Sequence, residues 1–236
     1  MAEKQAQPVS NSRWLTDIRK RMQKLSTDTL DATSKNSLAG WKTYLEKNWL
    51  LLSAGRDGFI MDEKWWGMVN HQIFWGDMDC MGHTNNVIYN RWAECGRVNW
   101  FMILSKHVAP ENEEEMRLLM TPRGVGLILG SIKTDFKFPM AFPDHICVMH
   151  RLTTKPDYTS DRVILSAACY SMNHRRIAAK FEEDIVVYDY DNAKKTPLKP
   201  YMVDEMLKVW ELQEQSKAEA NKKIAELEAF LTSLEQ

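Results

Sequence analysis

The chain has 236 residues, 44% of them hydrophobic and 27% charged, with a formal net charge of −1. That balance is one of an ordinary soluble globular protein, long enough for one domain plus extensions. A near-neutral charge leaves no footprint for nucleic acid, no apolar run approaches the about 18 residues of a membrane span, and the opening MAEKQAQPVS lacks an apolar signal core.

Residues 1–66 read as a polar, helical N-terminal extension. In SRWLTDIRKRMQKL, Trp14, Ile18, Met22 and Leu25 fall at helical spacing among five basic residues. Such a helix is a solvated face with an apolar stripe, or a transit or membrane-surface element; Asp17 and the acidic-polar start favour the solvated face. SLAGWKTYLEKNWLLLSAG, residues 37–55, predicts a second helix ended by Gly55.

The stretch 67–200 carries the strand signals. GMVNHQIFW predicts a strand with Val69, His71, Ile73 and Trp75 on one face. A polar cluster follows, then NVIYNRWAECGRVNWFMILSKH, about 20 residues without proline and apolar around most of its circumference. That predicts a long buried helix. Four β-type runs come next, VGLILGSIKTDFKF, HICVMHRLTT, RVILSAACYSM and IAAKFEEDIVVYD, separated by the turn signals PMAFPD, KPDYTSD and NHRR. The order predicts an α+β fold with one helix packed on an antiparallel sheet. In residues 201–236, Met206, Trp210, Gln213, Lys217, Ala220, Ile224, Leu227, Leu231 and Leu234 recur at spacings of four and three, a coiled-coil-like seam with two polar interruptions. This helix pairs with a partner helix or folds back onto the domain. Nine Trp and eight Phe suit an apolar ligand pocket or plain core packing.

The polar cluster, GDMDCMGHTN at 76–85, joins the first strand to the long helix. Backbone needs account for much of it: Gly76 and Gly82 permit unusual angles, Thr84, Asn85 or Asn86 can cap the helix, and Asp77 can tie the turn to its own backbone. They account poorly for Asp79 and His83. A helix start offers free N–H donors and a partial positive charge of about half a unit. That environment suits the oxygen of a polarised carbonyl, which becomes an oxyanion on attack. A carboxylate beside it can attack or take a proton from water, and imidazole, which titrates near neutrality, can assist.

WGDMDCMGHTNNVIYNRWAECGR, residues 75–97, resembles the signature of hotdog-fold acyl thioesterases. It is similar to the 4-hydroxybenzoyl-CoA thioesterase family, with its D-x-D-x-x-G turn before a long helix, and to plant acyl-carrier-protein thioesterases, which share H-x-N-N. TDFKFPMAFPD and RRIAAKFEEDIVVYD resemble the family's later strands, so the resemblance covers about 68–190. It implies a hotdog fold, an antiparallel sheet wrapped on a central helix, here with helical N- and C-terminal extensions. It implies Asp79 as catalytic carboxylate, His83 as a second catalytic residue, and Gly82, Thr84, Asn85 and Asn86 as the segment binding the thioester carbonyl. Two departures leave the division of labour open: Met81 stands where the plant enzymes have Asn, and Cys80-Met81 stands where the hydroxybenzoyl family has Pro-Ala and usually no His83.

Glu94 and Arg97, three apart on the helix, read as a local ion pair, with Glu94 as a substrate-pocket candidate. Asp144 reads as a strand start after Pro143. NHRR, 173–176, reads as a hairpin turn whose basic pair could touch a coenzyme A phosphate. Cys80 is not marked as a nucleophile. No metal-ligand cluster or Gly-rich phosphate loop appears, so neither metal nor cofactor is expected. The four cysteines, 80, 95, 147 and 169, lack CxxC spacing, which fits a reducing intracellular compartment, cytoplasmic or mitochondrial. The leading expectation is hydrolysis of acyl-CoA or acyl-carrier thioesters by a homodimer or higher oligomer, without nucleic acid or a membrane span. The rivals are hydration or dehydration of an acyl thioester on the same fold, and a non-catalytic hotdog subunit docked through its helical arms.

Overall fold

The computed structural model describes residues 13–25 and 30–235. The opening segment read for a leader and the last residue of the C-terminal seam zone lie outside the described residues. Among those described, no helix is long and apolar enough to cross a membrane.

Helix α1 (Trp14–Lys24) buries Trp14, Leu15, Ile18 and Met22, the expected stripe with Leu15 added. Helix α2 (Ala32–Arg56) begins five residues before the start predicted at Ser37, because the Asp31 carboxylate caps it by accepting from Ser34 N at 2.7 Å. Strand β1 (Met68–Gln72) is shorter than its sequence pattern suggests. Its register shifts between Met68 and His71, with Asn70 at φ 48°. That bulge inserts one residue and changes the parity of the strand. The inward residues are therefore Met68, His71 and Ile73; Val69 and Trp75 are exposed, and Trp75 sits in a single 3-10 turn, Trp75–Asp77.

Helix α3 (Asn86–His107) starts where the sequence places it, capped by the Asn85 side chain accepting from Val87 N at 3.1 Å. It is not buried all round. Tyr89, Trp92, Ala93, Gly96, Arg97, Trp100, Phe101 and Leu104 face the sheet, while Val87, Arg91, Glu94, Cys95 and Val98 are exposed. Short helix α4 (Glu113–Leu118), which the sequence reading missed, buries Met116 and leads into β2 (Val125–Phe136). Strands β3 (His145–Leu152), β4 (Arg162–Ser171) and β5 (Arg176–Asp189) follow, with the unforeseen β6 (Lys194–Lys195) paired to the end of β5. The sheet is antiparallel with order β1-β3-β4-β5-β2, which leaves β2 paired on one side only.

Strand alternation separates two faces. Ile146 and Val148 of β3, Ala167 and Cys169 of β4 and Phe181 of β5 pack under α3. Cys147, Met149, Ala168 and Tyr170 face the other way, onto α1, α2 and the far end of helix α5 (Pro200–Leu234). The sheet thus wraps α3 on one side and carries the terminal helices on the other. Glycine sets the spacing: a Cβ on Gly96 would lie 2.9 Å from Val148 Cγ1, and one on Gly67 would lie 2.1 Å from the Gly96 carbonyl oxygen.

The expected local pair of Glu94 with Arg97 does not form. Arg97 is buried and donates to Glu183 Oε1 on β5 at 2.6 Å, and His150 Nε2 lies 3.5 Å from Glu183 Oε2. A buried guanidinium needs an acceptor in the core, and Glu94 points to solvent.

Of the two expectations for α5, folding back is observed. Met202, Val203, Met206 and Val209 pack with the C-terminal half of α3. Past Gln213 the helix runs onto the outer layer, where Ile224, Leu227 and Leu231 join the α1–α2 cluster. Ala220 lies against Gly55 of α2, where an added Cβ would be 2.7 Å away. Arg21 of α1 donates to both Glu235 oxygens at 2.8 Å, joining the two ends of the chain.

Candidate active site

The turn from β1 to α3 is built by two aspartates with different tasks. Asp77 is buried; its Oδ2 accepts from Phe74 N at 2.9 Å and its Oδ1 from Arg91 Nη2 at 3.3 Å, while its carbonyl accepts from Asn85 N. It thereby fastens the loop to the first two turns of α3. The sequence reading gave Asp77 only a local backbone role; Arg91, fourteen residues away, carried no local signal of the partnership.

Asp79 is half-exposed. Its Oδ1 accepts from Met81 N at 2.8 Å and more weakly from His83 N at 3.4 Å. Its N–H donates to His83 O and its carbonyl accepts from Gly82 N, which closes a tight loop with Gly82 at φ 75°. Among the described residues no donor engages Asp79 Oδ2.

The other expected site residues divide. His83 is exposed, and its imidazole makes no hydrogen bond to the Asp79 carboxylate. Thr84 is buried; its N–H donates to Met140 O at 2.8 Å and its Oγ1 has no partner. The side chain of Asn85 is engaged as the cap. Asn86, the first residue of α3, is exposed. Glu94 lies on the outward face of α3, two turns or about 12 Å along the axis, and is not gathered into the cluster. Within the expected carbonyl-binding segment, Gly82, His83, Thr84 and Asn85 use their N–H groups inside the fold. That leaves the N–H of Asn86, at the positive end of the α3 dipole.

The loop 138–143 forms the second wall. Besides taking the Thr84 N–H, Met140 donates its own N–H to the Tyr89 hydroxyl at 3.2 Å, and Phe142 N lies 3.3 Å from Met78 Sδ. These contacts join segments some sixty residues apart, so no local pattern announces them. Around the turn the surface is apolar: Trp75 is 77% exposed and Met81 75%, with Phe74, Val87 and Phe142 also outward.

Asp144 and the 173–176 turn have structural contacts. Asp144 is buried and accepts from Ser171 Oγ and from His145 and Asn173 N–H, which ties the β4–β5 hairpin. Arg176 stacks over the Phe138 ring at 3.9 Å. Neither of the two described cavities is lined by a residue of the 77–86 turn.

Residues 73–209 match the family model of the thioesterase-like superfamily. Among solved structures, a DHNA-CoA thioesterase from Staphylococcus aureus is 16% identical, with 68% of this chain and 91% of that one covered and a TM-score of 0.44. A thioesterase from Thermus thermophilus, complexed with coenzyme A and Zn, is 17% identical over 58% and 94%, TM-score 0.44. A thioesterase-superfamily protein from Jannaschia is 14% identical over 61% and 82%, TM-score 0.47. No curated protein matches the chain.

Proposed function

The chain belongs to the thioesterase-like superfamily, and from that premise we propose that it hydrolyses acyl-CoA or acyl-carrier thioesters at the turn before α3, with Asp79 as the reacting carboxylate. The observation that carries this reading is the asymmetry of the two aspartates: both Asp77 oxygens are occupied, whereas Asp79 keeps Oδ2 without a donor beside the α3 start. Water bonds to the thioester carbon while its proton passes to Asp79, or the carboxylate attacks first and water opens the resulting anhydride. The carbonyl oxygen, now negative, is held by the Asn86 N–H and the helix dipole. Collapse expels the thiolate, which is protonated as it leaves. His83, unengaged and exposed, assists proton transfer at the same loop. The apolar rim of Trp75, Met81 and Phe142 offers surface to the acyl group.

The homodimer belongs to the same proposal. Strand β2 pairs with β5 on one side; beyond Leu127, whose N–H donates to Leu119 O at 2.8 Å, its other edge meets no strand and leaves Leu129 and Phe136 exposed, and proteins seldom leave such an edge bare. A second copy paired there would extend the sheet and bring a neighbour toward the turn.

The test is a panel of acyl-CoA thioesters assayed by thiol release. Asp79→Asn should stay folded and lose about 10²-fold or more in kcat. His83→Ala should lower kcat more than it raises KM. Hydrolysis undiminished in Asp79→Asn removes the assignment. No hydrolysis across the panel favours a non-catalytic subunit, the reading supported by the absence of a turn residue from both described cavities.

A further inference from the structure

The largest described cavity, about 420 Å³, lies on the sheet face opposite α3, roofed by the end of α2 and the middle of α5. Its volume is in the range of small-molecule sites. Four elements each turn a cation toward it: Arg56 from α2, Arg151 from β3, Lys180 from β5 and Lys217 from α5. Only Asp57 and Glu214 oppose them. Asp57 is already engaged, with Arg56 Nη1 at 3.7 Å and the Tyr170 hydroxyl at 3.4 Å. Among the described residues no carboxylate comes within ion-pair distance of Arg151, Lys180 or Lys217.

Arg151 is the floor of the cavity. Its guanidinium lies over the Phe59 ring at 5.9 Å, donates once, from Nη1 to Leu152 O at 3.4 Å, and has a buried Nε without an acceptor. Burial depresses its pKa despite Asp57 nearby, which means that its charge is poorly compensated where it sits.

The α5 seam runs along the roof of the cavity. Its two polar interruptions both border this cavity. Gln213 has a structural explanation: β1 pairs with β3 only as far as Val148, and the Gln213 amide takes up Leu152 N at 2.8 Å and Leu152 O at 3.1 Å. Lys217, one turn further along, is exposed and stands at the rim of the cavity.

We propose that this cavity binds a small organic anion, a carboxylate or phosphate monoester on a compact apolar body, with its charge among Arg151, Lys180 and Lys217 and its body against Phe59 and Trp210. The site is separate from the turn before α3, and it joins the terminal helices to the sheet. An occupant would stabilise that junction by mass action.

The full chain is titrated with phenyl phosphate, benzoate and inorganic phosphate at constant ionic strength, read by calorimetry and by the shift in Tm. Phenyl phosphate or benzoate should give a saturable Tm rise and exceed inorganic phosphate in affinity; the preference between the two separates phosphate from carboxylate. The exposed pair Lys180→Glu with Lys217→Glu should weaken binding by at least about tenfold, while the charge-matched pair Lys47→Glu with Lys222→Glu should not. Asp79→Asn should bind as wild type does, so failure here and failure of the thioesterase reading remain distinguishable. The proposal is overturned by no saturable binding of any of the three probes, by equal binding in the two charge variants, or by loss of binding in Asp79→Asn.

Discussion

Asp77 and Asp79 are two positions apart, yet their surroundings assign them different work. Asp77→Asn keeps the length but removes the charge facing Arg91 and can turn a donor toward Phe74 N. It should cost about 1–3 kcal/mol in chemical denaturation while turnover per folded molecule stays within a few-fold. Asp79→Asn should show the reverse, near-native stability with lost turnover. The same logic applies in the core. Arg97 and Glu183 form a buried pair with His150 at its edge. Arg97→Met leaves Glu183 without its cation and should destabilise by about 3–5 kcal/mol, read in the same denaturation curves; a paired Arg97→Met, Glu183→Leu replacement should recover much of that. If the single and double variants lose the same stability, the pair does not act as a unit.

At the scale of elements, α5 is the piece whose packing sequence periodicity left open. It crosses from the α3 layer to the outer layer, and Gln213 marks the crossing by completing the hydrogen bonding of Leu152. Leu227 is fully buried against α1 and α2. Leu227→Ala should therefore lower stability by about 2–5 kcal/mol. It should leave kcat per folded chain unchanged, because no turn residue rests on that part of the helix. Loss of turnover in a variant that remains folded would show that α5 helps to build the pocket.

The whole molecule has three layers, with the candidate chemistry at one end of α3 and the cationic cavity on the far side of the sheet. Among the described residues, the free edge of β2 and the apolar rim of the turn are uncovered. A light-scattering mass near twice the 27.5 kDa of one chain is the expected result at micromolar concentration. A mass of one chain with full thioesterase activity would overturn the dimer reading.

The order of the main elements, the start of α3 at Asn86 and the four later strands were legible in the sequence, because each rests on local causes: a capping Asn85, a long run without proline, and β-branched runs bounded by Pro, Gly and Asn. The family and its motif were legible for the same reason, since GDMDCMGHTNN is contiguous. What tertiary structure alone decided is non-local. A single bulge at Asn70 reversed the parity of β1 and moved Val69 outward, while a 3-10 turn after the strand carried Trp75 out of it. A partner 86 residues away, Glu183, took Arg97 from the Glu94 that helical spacing offered it. A loop residue 56 positions downstream, Met140, took the Thr84 N–H, leaving Asn86 as the residue of the 82–86 segment whose N–H is not engaged among the described residues. Local periodicity fixes which face a residue joins only while register holds. Which charge meets which, and which N–H stays free, depend on distances that exist only after the sheet has closed around α3.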